Sequence, residues 1–313
     1  MSQTTMTAQS IRRQPVLRRL TRNYELYLFA LPAVVYFVLF CYAPMFGVQI
    51  AFKNFKPNLG IWGSPWVGLK HFQRITTLPS FLQIVRNTLA LSLYQLAVGF
   101  PVPVVLALCI NEMRSSKIRR TVQTVSYAPY FISTVVLVSL LEIFCNEHYG
   151  VLNALARAFR QETIPFLTRQ QYFRGMYVLS GVWQGAGWST IVYLSALTSI
   201  DPELHESAMI DGASRLQRVW HINMPCILPT LSLLFILQVG GLMSIGFEKV
   251  FLMQKDINIE LSEVISTYVY KQGLQKLQYS FSAAVGLFNS VVNCLLLVLT
   301  NTVTRSLNGN SLF

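Results

Sequence analysis

The sequence has 313 residues, of which 53% are hydrophobic and 12% are charged, and its formal net charge is +12. Soluble proteins carry charge on about 25% of their residues, so this chain has too few charged side chains to cover a soluble surface. The composition therefore excludes ordinary soluble domains and indicates an integral membrane protein. We expect membrane lipid around the chain and no nucleic acid bound to it.

Six long segments contain no Asp, Glu, Lys or Arg. The shortest has 21 residues, whereas the next longest such segment, Pro57–Leu69, has 13. A helix needs roughly 20 apolar residues to cross the hydrocarbon core of a membrane. All six segments meet this length, and in chain order they are Leu26–Phe52, Asn87–Asn111, Thr121–Leu141, Gly175–Ile200, Ile222–Phe247 and Leu277–Thr304.

These segments are predicted to be helices. Backbone groups in lipid must pair within one helix or within a closed barrel, and barrel strands are about ten residues long and alternate in polarity. Residues 33–40, Ala-Val-Val-Tyr-Phe-Val-Leu-Phe, do not alternate. The sequence therefore predicts an all-α membrane protein whose six-helix transmembrane domain covers residues 26–304.

Two clusters of basic residues predict the orientation. Residues 1–25 contain five arginines and are predicted to form an amphipathic segment on the cytoplasmic surface. Four basic residues also crowd the loop after the second span: Arg114, Lys117, Arg119 and Arg120. Because Lys and Arg near short loops mark the cytoplasmic side, both chain ends are predicted to be cytoplasmic, with residues 305–313 as a tail.

Prolines and glycines interrupt several of the predicted spans. Examples are residues 99–103 (Gly-Phe-Pro-Val-Pro), the glycines between Gly181 and Gly187, and the pair Gly240 and Gly241. Such positions allow close packing between helices. They also allow unwound backbone that lines a pathway, and the sequence leaves both interpretations open.

Residues 201–225 form the predicted cytoplasmic loop between spans four and five. Asp201 is a good N-cap, and Pro202 suits the first helical position. Gly212 can end this helix in a left-handed cap, and Ser214 can begin a second helix before Pro225. The loop is therefore predicted to contain two short helices joined by a tight bend. In the outer segment at 145–174, helical spacing of apolar residues predicts a further surface helix over Leu152–Phe159.

This loop resembles the EAA motif of the permease subunits of binding-protein-dependent ABC importers. The family pattern is Glu-Ala-Ala, two residues, Asp-Gly-Ala, and later Ile-x-Leu-Pro. The chain has Glu206-Ser207-Ala208, Asp211-Gly212-Ala213 and Ile222-Asn223-Met224-Pro225, with Ser207 and Met224 as the departures. The resemblance implies that this loop docks on an ATPase subunit through Glu203, Glu206, Ser207, Ala208, Met209, Asp211, Gly212 and Ala213.

The rest of the chain is similar to carbohydrate permeases of the maltose-permease type, especially the LplB-like group. The supporting strings are residues 66–72 (Trp-Val-Gly-Leu-Lys-His-Phe), 246–252, 263–270 and 284–293. The resemblance covers about residues 24–304. It implies a type I ABC importer permease fold in a bacterial inner membrane, paired with a second permease, two ATPase subunits, and a periplasmic or lipid-anchored sugar-binding protein.

The chain itself is predicted to be a transport subunit with no catalytic residue, metal site or cofactor. A Walker A loop requires Gly-Lys-Ser or Gly-Lys-Thr after a glycine-rich turn, and the dipeptide Gly-Lys does not occur. The five cysteines and four histidines do not have the spacing of metal ligands. ATP and Mg²⁺ are therefore expected in the partner ATPase.

Polar and aromatic residues inside the spans are candidates for substrate contact. Aromatic faces, amides and hydroxyls bind sugars, and the candidates are Trp183, Gln184, Trp188, Gln238, Asn289 and Asn293. Each can equally hold helices together. The outward segments carry 13 Lys and Arg against 7 Asp and Glu, which favours an acidic oligosaccharide such as alginate.

Two other functions compete with oligosaccharide import. An ABC permease for another solute would share the EAA loop but not the LplB-like strings. A secondary transporter driven by a gradient usually places paired ionisable residues at mid-membrane, and the six charge-free segments contain none.

Overall fold

The computed structural model describes residues 24–160 and 162–308. Within these ranges the chain is helical, without strands apart from one antiparallel bridge between Lys53 and Trp66. The helices used below are α1 Tyr24–Phe52, α2 Lys70–Thr77, α3 Pro79–Asn111, α4 Ser116–Phe131, α5 Thr134–Phe144, α6 Val151–Arg160, α7 Phe173–Thr198, α8 Pro202–Ile210, α9 Arg215–Gly240, α10 Phe247–Met253, α11 Ile265–Tyr270 and α12 Tyr279–Asn308. Most of the predicted N-terminal segment and the end of the predicted tail lie outside the described residues.

Four helices are long and apolar enough to cross a membrane: α1, α3, α9 and α12. A fifth span is added if α4 and α5, which meet at 99°, are taken together. Helix α7 has 26 residues and would be about 39 Å long at 1.5 Å per residue, but four glycines and several hydroxyl residues make it less apolar. The fold thus contains four or five apolar spans by length and composition, and six spans stay a prediction.

The predicted third span, 121–141, is not a single straight helix. Pro129 lies in a tight helical turn, and the backbone becomes extended at Ile132. Ser133 then caps α5 by accepting a hydrogen bond from the Val136 amide at 3.4 Å. A proline near the end of one helix and a capping serine before the next account for the sharp bend.

The fifth predicted span, Ile222–Phe247, begins earlier and ends earlier in the structure than the sequence predicts. Helix α9 already begins at Arg215 and continues through Pro225, where a stop was predicted. The turn Val219–Asn223 is a π-helix, in which Met224 donates to Val219, and this wider turn accommodates the proline. At the other end the helix stops at Gly240, short of the predicted Phe247, and a non-helical stretch leads into α10.

Two glycines in the interrupted spans provide close helix contacts. A Cβ atom at Gly187 would overlap the Ser126 carbonyl, so α7 packs backbone to backbone on α4. A Cβ atom at Gly240 would lie 2.7 Å from Cδ1 of Leu297 on α12. Packing explains these two glycines, whereas the stretch after Gly240 is unwound. Close packing is therefore confirmed at these two positions, and a pathway lined by unwound backbone stays a prediction.

Helix α7 lies at the centre of the bundle. Its first half packs Tyr177 and Val178 against Leu91 of α3 and Val250 of α10. Its second half packs against α3 and α9 through a separate cluster that includes Tyr193, Leu194, Leu197, Ala107 and Ile227. By contrast, the most apolar stretch of α1 buries no residue against the rest of the described chain.

Candidate coupling loop and solute pathway

The loop between α7 and α9 folds as its local sequence predicts. The Asp201 carboxylate accepts a hydrogen bond from the Glu203 amide at 3.0 Å and caps α8. At the other end Gly212 adopts a φ of +78°. The Gly212 amide donates to Met209 at 3.1 Å and the Ala213 amide to Ala208 at 2.8 Å, which is the paired hydrogen bonding of a Schellman cap. A residue with a Cβ atom would be strained at this φ.

A second cap follows at once. The Ser214 amide donates to Oε1 of Gln217 at 2.7 Å, and the Gln217 amide donates to Oγ of Ser214 at 3.4 Å. This reciprocal pair is a capping box. Its N-cap, Ser214, lies two residues after Gly212 and α9 begins at the next residue, so only a short turn separates the two helices.

Helix α8 protrudes from the described bundle with none of its residues buried. Ile210 is 87% exposed, and Leu204 and Met209 are about half exposed. Glu203 and Glu206 are also exposed, whereas Ala208 and Ala213 are partly covered beside the cap. Apolar side chains on a short protruding helix suit insertion into a groove of another protein.

Ile210 is a residue that sequence reasoning did not select. The EAA pattern leaves the position before Asp211 unspecified, and an isoleucine at the end of a helix gives no signal by itself. Its exposure becomes visible only once the helix is seen to stand clear of the bundle.

The base of the loop is tied to the basic inner loop. Asn223 is fully buried, and its Nδ2 donates to Oε1 of Glu112 at 3.4 Å. Arg119 of α4 donates to the carbonyls of Asn111 and Met113. The start of α9 is thus joined to the loop between α3 and α4, and that loop is joined to α4.

The predicted substrate residues do not form one site. Trp183 lines an apolar cavity of about 610 Å³ between α5, α6 and α7. Trp188 and Gln238 line a different cavity of about 580 Å³ between α3, α7 and α9. Nε2 of Gln184 donates to the Ile132 carbonyl at 2.7 Å and so holds the bend between α4 and α5.

Trp188 belongs to an aromatic group that the sequence did not reveal. Its ring stacks on Tyr130 with centroids 4.6 Å apart and meets Phe131 edge-on at 6.2 Å. All three rings are exposed to a large extent. Their association depends on the bend after α4, which was not predicted.

Asn289 and Asn293 converge on the unwound stretch after α9. Nδ2 of Asn293 donates to Oγ of Ser244 at 2.7 Å, and Nδ2 of Asn289 lies 3.5 Å from the same oxygen. Oδ1 of Asn293 accepts from the Met243 amide at 2.9 Å, whereas Oδ1 of Asn289 is buried and has no hydrogen-bond partner among the described residues. We call Ser244, Asn289 and Asn293 the amide cluster, and it can bind hydroxyl groups.

Lys249 lies five residues beyond Ser244 and was not selected from the sequence. Its Nζ donates to the Tyr177 carbonyl at 2.8 Å and lies 4.8 Å from the centroid of the Tyr177 ring. Gly181 of α7 and the side chain of Gln95 are close by. The lysine is half-buried where α3, α7 and α10 meet.

A model of a known protein family matches residues 99–309, which cover most of the helical bundle and include the loop between α7 and α9. This family is described as the inner membrane component of binding-protein-dependent transport systems. The chain belongs to this family. Its members are permease subunits, and the all-helical fold with apolar spans agrees with this assignment.

Curated relatives match this permease over almost its whole length. The polygalacturonan/rhamnogalacturonan transport system permease protein YteP of Bacillus subtilis is 43% identical over 96% of this chain and 94% of its own. Protein LplB of the same organism is 41% identical over 94% of this chain and 92% of its own.

Solved structures are similar over the same extent. A chain of a bacterial ABC transporter involved in import of the acidic polysaccharide alginate superposes with a TM-score of 0.86 at 38% identity, covering 94% of this permease and 100% of that chain. A chain of the bacterial alginate ABC transporter in complex with its periplasmic protein, bound to alginate pentasaccharide, gives a TM-score of 0.87 at 36% identity, covering 96% and 100%. This likeness shows the type I ABC permease fold.

Proposed function

We propose that this permease forms, together with a second permease, the translocation pathway of an ATP-driven oligosaccharide importer in a bacterial inner membrane. The observation that carries the proposal is the exposed, doubly capped helix α8 inside a chain that resembles sugar permeases throughout. In this proposal the chain crosses the membrane six times and both ends are cytoplasmic.

An acidic oligosaccharide is the substrate that the relatives favour. The names of similar proteins refer to polygalacturonan, rhamnogalacturonan and alginate, and each of these polysaccharides contains uronate units. The outward segments of this chain also carry more basic than acidic residues. A basic outer face raises the local concentration of an anionic solute.

Helix α8 is the proposed contact with the ATPase. A rigid short helix can enter a groove. The left-handed residue Gly212 turns the chain back toward the membrane and adds no side chain at the end of α8. The apolar residues Leu204, Met209 and Ile210 would be buried in that groove, while Glu203, Glu206 and Asp211 would face its rim. Two ATPase subunits, one for each permease, would bind ATP and Mg²⁺.

Helix α1 supports the presence of a second permease. Its first 22 residues, Tyr24–Met45, contain no buried position. Only its last part, Phe46–Phe52, has a residue packed into the core, namely Ala51. A membrane helix that leaves its own bundle in this way can pack on another subunit as well as on lipid.

The proposal is tested by purifying the permease with its partner subunits and measuring ATP hydrolysis in lipid. We expect a sugar-binding protein loaded with an acidic oligosaccharide to stimulate hydrolysis and sugar uptake together. Uptake by the permease in vesicles that lack any ATPase would contradict the proposal and indicate a gradient-driven transporter.

The coupling role is tested at Gly212. We expect Gly212→Arg to abolish sugar-stimulated hydrolysis. A Cβ atom at φ +78° is strained, and the long side chain adds bulk at the end of α8 that would enter the groove. Gly286→Ala on α12 is the control, since its Cβ would meet no atom within 4 Å and its φ is ordinary. Normal uptake by the Gly212→Arg permease would remove the coupling role from this loop.

A further inference from the structure

Lys249 is a half-buried cation without an ion pair in the described chain. The two ion pairs found there use other lysines: Lys255 with Glu142 at 2.8 Å and Lys271 with Glu263 at 3.2 Å. Lys53 is likewise buried with a carbonyl and aromatic rings as its partners, whereas Lys249 lies between helices of the bundle and has the exposed Glu248 only as its neighbour in sequence. An ammonium group held half-buried without an anion is costly.

The protein provides this ammonium group with weak partners only. Nζ of Lys249 donates one hydrogen bond to the Tyr177 carbonyl, and the Tyr177 ring lies beneath the cation. The carbonyl is a neutral acceptor, and an ammonium has three donors, so the group retains capacity for an anionic ligand. A ligand carboxylate would give the stronger, charge-assisted hydrogen bond.

The cation lies close to the backbone of α7 and to one amide side chain. A Cβ atom at Gly181 would lie 3.1 Å from Nζ of Lys249 and 3.5 Å from Oε1 of Gln95. Glycine at this position therefore lets the lysine and the amide approach the α7 backbone. Gln95 adds an amide that can bind a sugar hydroxyl next to the charge.

Lys249 follows the amide cluster closely in sequence. Ser244, the centre of that cluster, lies on the unwound segment that leads into α10, five residues before Lys249. The side chain of Gln95 lies beside Lys249 itself. An amide and a cation are the two kinds of group that recognise a uronate unit, which carries hydroxyls and one carboxylate.

We propose that Lys249 binds a carboxylate of the transported oligosaccharide and makes the pathway selective for uronate-containing substrates. This inference rests on the proposed function, since it requires that the chain lines the pathway of an oligosaccharide importer. Gln95 binds a hydroxyl beside the charged group, and the amide cluster is a further place that binds hydroxyls.

The experiment compares uptake of trigalacturonate and of its fully methyl-esterified form by the complete importer in proteoliposomes. The same binding protein is used throughout, so that its own preference cancels when permease variants are compared. We expect Lys249→Met to lower trigalacturonate uptake about tenfold, as loss of a charge-assisted contact does, and to leave uptake of the ester unchanged. Lys249→Arg, which keeps the charge, is expected to retain most of the uptake.

Lys255→Met is the matched control. It removes a lysine six residues further along, from an ion pair that is nearly half exposed, and such pairs contribute little. We expect it to transport both substrates like the unaltered permease. Amounts of assembled complex and hydrolysis without sugar are measured for every variant.

Three outcomes would overturn the inference. They are normal trigalacturonate uptake by Lys249→Met, equal loss of acid and ester uptake by that variant, and failure of Lys249→Arg to restore uptake. The last two would make Lys249 a structural tie to Tyr177. Failure of the proposed function looks different, because the unaltered importer would then transport neither substrate.

Discussion

Gly185 and Gly187 lie two residues apart on α7 but meet different surroundings. A Cβ atom at Gly185 would have no atom within 4 Å, whereas one at Gly187 would overlap the backbone of Ser126. Backbone-to-backbone packing of this kind is available only to the smallest residues. The contact also holds the second half of α4 against α7, a few residues before the bend into α5.

We expect Gly187→Ala to destabilise the permease by about 2 kcal/mol or more, because neither backbone can move away from the added methyl group without disturbing its helix. Gly185→Ala is the control on the same helix and should leave stability unchanged. The midpoint of thermal unfolding of the purified permease measures both. An unfolding midpoint for Gly187→Ala equal to that of the unaltered permease would contradict the packing described here.

At this scale the sequence predicts local geometry well and long-range contacts poorly. Three features each depend on residues only a few positions apart: the Asp201 cap, the left-handed Gly212 and the Ser214 cap. The structure confirms all three. The stacking of Trp188 on Tyr130 joins residues 58 positions apart. No local pattern could have predicted it.

The segment between α5 and α7 depends on one buried amide. Asn153 of α6 has no exposed surface. Its Nδ2 donates to the carbonyls of Cys145, Asn146 and Ile164, and its Oδ1 accepts from the Ile164 amide at 2.7 Å. This one side chain therefore ties α6 to the chain on both sides.

We expect Asn153→Ala to destabilise this segment by about 3 kcal/mol, because it leaves several backbone groups without partners. Limited proteolysis in detergent should then cut the segment at 145–174 faster than in the unaltered permease. Ser139→Ala is the control, since its hydroxyl bonds only to Val135 of its own helix. Equal cleavage of both variants would show that the amide is dispensable.

Helix α6 itself was predictable, but the contacts that tie it to the chain on both sides were not. The apolar spacing over Leu152–Phe159 predicts the helix, and the structure confirms it as α6. The role of Asn153 depends on Ile164, which lies beyond the helix and carries no turn signal. The division of 121–141 into α4 and α5 was missed for a related reason: charge-free length shows that a span is possible but not that it is straight.

At the scale of the whole molecule, the permease consists of a packed bundle with two parts that lack partners within it. Helix α8 extends from one end, and the first part of α1 leaves the side. In both places apolar side chains are exposed. Each part is explained by a subunit of the proposed importer, the ATPase at α8 and the second permease at α1.

Fold class and family were predictable from the chain because they depend on long apolar segments and on one loop of about 20 residues. The relative position of the substrate candidates was not predictable, since they lie on three faces of the bundle. Among these candidates Trp188 and Gln238 line one cavity, and Asn289 and Asn293 meet at Ser244. Lys249 was not selected from the sequence.

The most direct test of the account is a cross-link from the tip of α8 to the ATPase. Ile210→Cys is made in a permease whose exposed cysteines (Cys41, Cys109, Cys226 and Cys294) are replaced by alanine, which leaves the buried Cys145. A photoreactive reagent attached at position 210 should give a covalent product of permease and ATPase in assembled importer. Labelling of position 210 from outside intact cells by a membrane-impermeant maleimide, with no product to the ATPase, would contradict the account.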